Sequence, residues 1–154
     1  MSDPSRPRLK RFVVLVQSND AVESGVMPTE GDLAAMIRFN DWLAESGAML
    51  AAEGLLNSSN GARITFTDKE VRVQNGPFAH PETLVAGYWI IQAASLDEAI
   101  GLMQGAPMGG AGATVEIRQI AEAEDFGARL TPELRDREDR QRVRMEENAR
   151  RGAA

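Results

Sequence analysis

The chain has no cysteine and a single histidine, His80, among its 154 residues. Without thiols there are no disulfides and no thiolate chemistry. One imidazole would leave zinc with carboxylates almost alone, a donor set it does not favour. Magnesium or calcium would accept carboxylates, but the acidic residues form no Asp-x-Asp-like loop, so neither a metal nor a cofactor is expected. Long apolar runs are also missing from the N-terminal region. The run behind the first basic residues, "FVVLV", is too short for a signal-peptide core or a membrane span and reads as a buried strand. A cytoplasmic protein with no membrane partner is expected. Basic excess is lacking as well: the net charge of −6 argues against nucleic acid as a partner, since phosphates call for a basic face.

What is present is an orderly succession of strand and helix signals. "LKRFVVLVQ", residues 9 to 17, is β-branched and apolar and ends at the turn formers Ser18, Asn19 and Asp20, which marks a central strand. A loop to about Pro28 follows. "TEGDLAAMIRFNDWLAESG" then reads as a helix capped by Thr29, with Asp32 three residues on and Gly47 as its stop. Its apolar stripe comprises Leu33, Met36, Ile37, Leu43 and Ala44, with Asn40 in the middle. Asn40 is either a core residue bonded to nearby backbone or a group that points into a cavity beside the stripe.

"AMLAAEGLL", residues 48 to 56, is the next strand, and "ARITFT" and "EVRVQN" form a hairpin. "TLVAGYWIIQAA" is a strong strand, and Ser95 caps the amphipathic helix "LDEAIGLMQG". "TVEIRQI", residues 114 to 120, closes the domain. "GAPMGGAGA" leaves a helix and enters a strand, the reverse of a phosphate cradle, and is a connection.

This order predicts an α+β fold: a ferredoxin-like antiparallel sheet with two helices on one face and an added β-hairpin. "VVLV" and "YWII" are apolar on both faces, so the second face needs a cover, and a homodimer packing sheet against sheet would provide one and enclose a pocket. From Thr131 onward, seven arginines accompany six acidic residues. Glu133 with Arg137, Asp136 with Arg140, Glu138 with Arg142, Glu146 with Arg150 and Glu147 with Arg151 are correctly oriented i,i+4 pairs, so a charged C-terminal helix is expected. The predicted organisation is a flexible N-terminus over residues 1 to 8, a ferredoxin-like domain over 9 to 127 and the charged helix over 128 to 154.

Several residues stand out chemically. His80, in "NGPFAHPET", precedes Pro81, which biases it to extended backbone. Asn75, Gly76 and Pro77 make a turn and Phe78 is expected to anchor the loop in the core. A histidine on an anchored loop suits general acid or base chemistry, and a solvent-facing loop residue without a role is the alternative. Glu53 is a lone carboxylate in an apolar strand. It is expected either to pair with Arg118 or Arg63 on a neighbouring strand, or to line the pocket and orient His80. Tyr88 and Trp89 alternate, so one faces the helices and the other the dimer cavity.

The motifs "LAAEGL", "GPFA", "AGYWI", "SLDEAI" and "VEIRQI", in that order, resemble the YCII-related proteins of the DGPF type, and "EAEDFGARLTPELR" resembles a longer subgroup with a charged C-terminal helix. The resemblance implies a dimeric ferredoxin-like fold with a barrel-like α/β assembly. Some members of the wider superfamily act on small organic molecules through a His-Asp pair. Here that histidine would fall near Met36 and its Asp-Pro partner at Ala106-Pro107, so neither group is present; the family's Asp is Asn75 and its Glu is His80. The function expected is therefore a cofactor-free small-molecule lyase, isomerase or hydrolase. His80 and Glu53 would be catalytic, and Asn40, Phe78, Tyr88, Trp89 and Arg118 would bind substrate. A non-catalytic dimeric ligand-binding or regulatory module is the alternative.

Overall fold

The computed structural model describes residues 8–152. Most of the expected flexible N-terminus lies outside that range. The described residues fall into two compact units, one ending at Ile120 and one beginning at Ala121.

In the first unit, β1 (Lys10–Gln17), β2 (Met49–Gly54), β5 (Val85–Ala93) and β6 (Val115–Gln119) form an antiparallel sheet in the order β2-β5-β1-β6. That is the order of the ferredoxin-like arrangement. A short helix α1 (Asp20–Glu23) lies in the predicted loop after β1, capped by the Asn19 side chain. Helix α2 (Glu30–Glu45) begins with a reciprocal capping box: Thr29 Oγ1 accepts from Asp32 N and Asp32 Oδ2 accepts from Thr29 N. Helix α3 (Leu96–Met103) is capped by Ser95 Oγ, which accepts from Glu98 N. The hairpin of β3 (Ala62–Phe66) and β4 (Val71–Asn75) forms its own two-stranded sheet.

The core lies between α2, α3 and one face of the main sheet. Phe12, Val14, Trp89, Ile91 and Ala93 from the strands meet Phe39, Leu43, Ala99 and Met103 from the helices. Along β5 buried and half-buried residues alternate, the period-two pattern of a sheet with one covered face. Gly87 sits where β5 and β2 approach closely; a Cβ there would lie 2.9 Å from the Glu53 carbonyl oxygen.

The inward face of α2 differs from the expected stripe. Phe39 and Leu43 are buried and Met36 packs against them, whereas Leu33, Ile37 and Ala44 are exposed. The helix is rotated so that its aromatic residue meets Trp89, at 6.1 Å between ring centroids in an edge-on arrangement. The larger ring buries more apolar surface than the aliphatic flank would.

In the second unit a 3-10 segment (Ala123–Arg129) precedes α4 (Pro132–Gly152), whose start is capped by Thr131 Oγ1 accepting from Leu134 N. Of the five expected i,i+4 pairs, Glu138 with Arg142 closes among the described residues, at 2.7 Å. The helix has no buried residue.

Candidate functional site

Two features of the first unit bear on function: the loop that carries His80 and the sheet face turned away from the helices. The loop is tied down from three directions. At its start, Gly76 packs so closely on the turn after β2 that a Cβ would lie 1.7 Å from the Ser58 carbonyl oxygen, and only glycine fits. Gly76 N donates to Gly61 O at 2.9 Å and the Gly76-Pro77 peptide is cis. In the middle, Phe78 N donates to Ser58 Oγ at 2.9 Å, and the Arg63 guanidinium lies over the Phe78 ring at 4.0 Å from its centroid. At its end, Gln17 Nε2 donates to Glu82 O, and Ser18 N donates to Leu84 O at 2.9 Å.

Behind this loop lies a knot centred on Glu23. Its carboxylate accepts from Ser58 Oγ at 2.6 Å, from Ser58 N at 2.9 Å and from Ser18 Oγ at 3.2 Å. These bonds, the Ser58 hydroxyl foremost, hold the Glu23 carboxyl below its ordinary pKa of 4.5, against a smaller opposing effect of desolvation. Ser58 Oγ thus donates to Glu23 and accepts from Phe78, linking α1, the turn after β2 and the His80 loop.

His80 itself does not have the extended backbone that the following proline favours. It has φ 62° and ψ 67°, the left-handed region, which is uncommon for a residue with a side chain. This geometry turns its carbonyl to accept from Thr83 N at 2.9 Å and Thr83 Oγ1 at 2.7 Å, closing the 3-10 turn Pro81–Thr83. The imidazole Nδ1 is 3.3 Å from Glu82 Oε1, and both side chains are largely exposed. Nε2 has no partner among the described residues. The arrangement is an exposed histidine beside a carboxylate, with its second nitrogen open to solvent. Such a pair is equipped to take up and release a proton.

The sheet face opposite the helices is organised in rows by the register. Glu53, Tyr88, Leu15 and Glu116 are successive cross-strand partners, and Ala51, Ile90, Val13 and Arg118 form the next row. Val13, Leu15, Ala51, Tyr88 and Ile90 are half-buried, an apolar floor rimmed by Glu53 at one edge and Glu116 and Arg118 at the other. Arg118 Nε is 3.8 Å from Glu116 Oε1, an exposed pair that contributes little to stability.

The predicted residues are therefore distributed over three places. Asn40 Oδ1 accepts from Trp89 Nε1 at 2.8 Å, so the polar residue in the helix stripe serves a core indole rather than nearby backbone. Trp89 is 4% exposed and belongs to the core, so Tyr88 is the member of the aromatic pair that reaches the open face. Phe78 is half-buried under Arg63 and is not part of the core, because the loop is anchored by Ser58 and Arg63 instead. Glu53 is exposed near the edge of the open face; its carboxylate has no hydrogen-bond or ion-pair partner among the described residues, and neither Arg118 nor Arg63 pairs with it. The carboxylate beside His80 is Glu82.

Three contributors escaped sequence reasoning. Glu82 was visible as the second residue after His80. Glu23 and Ser58 are 35 residues apart, and no local pattern joins them.

The fold and these surfaces define an α+β protein with ferredoxin-like strand order, a tethered histidine loop and a half-buried apolar sheet face opposite α2 and α3. The family model of the YCII-related domain matches residues 11–124, and the chain belongs to that family. No curated protein matches the chain. Among the described residues no helix is long and apolar enough to cross a membrane.

Proposed function

We propose that the protein is a homodimeric small-molecule enzyme of the lyase, isomerase or hydrolase type that works by cofactor-free acid-base catalysis, with His80 as the proton-transfer group. The observation that carries this reading is the His80-Glu82 pair on a loop fixed at Gly76, Phe78 and Leu84. A left-handed non-glycine backbone costs of the order of 1–3 kcal/mol, and such conformations gather at functional sites. Glu82 would orient the ring through Nδ1, leaving Nε2 to take a proton from substrate or water. This differs from an arrangement with Glu53 as the orienting group. Glu53 and Arg118 would instead stand at the rim of a pocket floored by Tyr88, Leu15, Val13 and Ile90, with a second copy packed against the same face.

A non-catalytic ligand-binding module is the second reading. It is favoured by the same sheet face, whose apolar floor and charged rim suit ligand capture without any proton transfer. A turnover screen with small organic acids, esters and lactones separates the two. Under the enzyme reading, His80→Ala lowers turnover by about 10²-fold or more while ligand-induced thermal stabilisation persists. Turnover that survives His80→Ala intact would sink the mechanism, and binding without turnover in the wild type would favour the module.

A further inference from the structure

The β3-β4 hairpin is an arm with an uncovered apolar face. Ile64 pairs with Val73 and Phe66 with Val71, so all four side chains share one side. They are 56%, 65%, 78% and 59% exposed respectively, and all ten residues of the two strands are exposed. Neither strand joins the main sheet. An isolated two-stranded hairpin is marginal in water, and four β-branched or aromatic residues on one side call for a cover. Its base is held where Gly76 N donates to Gly61 O and Arg63 lies over Phe78, so the arm is fastened to the His80 loop.

We propose that in the homodimer each hairpin lies across the open sheet face of the other copy, so that the partner's arm closes the ligand space above Tyr88. The inference rests on the dimer reading above. Three observations select a second copy as the occupant. The chain carries an exposed apolar arm and a half-buried apolar floor of Val13, Leu15, Tyr88 and Ile90, and a two-fold exchange would bury both with one operation. Four side chains fall well short of the roughly 800 Å² per partner of a stable interface, so the arm needs to be one part of a larger contact that the sheet face supplies. The charges also fit: Lys69 at the hairpin tip and Glu53 at the rim both lack ionic partners among the described residues. The ligand space would then be lined by Tyr88 and Ile90 of one copy and by Ile64 and Phe66 of the other, which suits a small, largely apolar molecule.

The cysteine-free sequence permits a direct test. Phe66→Cys and Ile90→Cys are introduced into separate full-length chains, mixed, and oxidised, and the linked peptides are identified by mass spectrometry. The expected product is a covalent dimer joining position 66 of one copy to position 90 of the other, with at least tenfold less from Thr65→Cys, which lies on the opposite side of the arm. Val13→Cys serves as a second floor position should Ile90→Cys lower the melting temperature. A dimer by sedimentation in which position 66 links to neither floor position overturns this inference and leaves the proposed function standing. A monomer overturns both.

Discussion

The hydrogen bond from Trp89 Nε1 to Asn40 Oδ1, at 2.8 Å, lends itself to a quantitative test because its donor belongs to a residue only 4% exposed. Replacing Asn40 with leucine keeps much of the side-chain volume, removes the acceptor and hinders water from substituting for it. An orphaned buried donor costs about 1–3 kcal/mol. The partial accessibility of Asn40 argues for the middle of that range, about 2 kcal/mol. At the size of this protein that corresponds to a drop in melting temperature of roughly 4–8 °C. Urea unfolding followed by circular dichroism would read the free energy. The companion Trp89→Phe and the double variant complete a cycle in which the coupling should be favourable by about 1 kcal/mol or more. A loss below about 0.5 kcal/mol for Asn40→Leu, within the range of a surface substitution, or a coupling near zero, would refute the assignment of Asn40 as a structural partner of Trp89.

Other outcomes follow from the loop and its supporting knot. Gly76→Ala should destabilise by about 1–3 kcal/mol, the range for overpacking, since its Cβ would lie 1.7 Å from the Ser58 carbonyl oxygen; urea denaturation checks it, and hydrogen exchange should rise at Ser58 and Phe78. Because the folded pKa of Glu23 is lowered below 4.5, its contribution to stability is fully present above about that pH and is lost as the pH falls through the folded value. Melting curves should show the wild type losing stability more steeply than Glu23→Gln below pH 4.5. Equal slopes would mean that the Ser58 bonds to Glu23 do not matter to folding.

Strands and helices were legible in the sequence because their signals are local: period-two alternation in β5, the Thr29 capping box, the Ser95 cap and the turn formers after β1. The rest depends on packing or on groups far apart in the chain. Leu33 and Ile37 fit a helical stripe as well as Phe39 does, and only the position of Trp89, from a strand 49 residues beyond Asn40, decides which flank turns inward. Glu53 sits in an apolar segment but near the edge of the sheet, where exposure removes any need for a partner. The left-handed backbone of His80 runs against the bias imposed by Pro81, and closure of the turn onto Thr83 opposes that bias. Partners that meet by chain reversal, as Glu23 and Ser58 do, leave no trace in local spacing.

In the proposed homodimer a second copy packs on the sheet face bearing Val13, Leu15, Tyr88 and Ile90. Sedimentation equilibrium of the full chain at about 20 µM, far above the Kd expected of a stable interface, tests it directly. The expected species has twice the 16.7 kDa chain mass and is converted to monomer by Leu15→Glu. A wild-type species of 16.7 kDa at that concentration, or a dimer indifferent to Leu15→Glu, would contradict it.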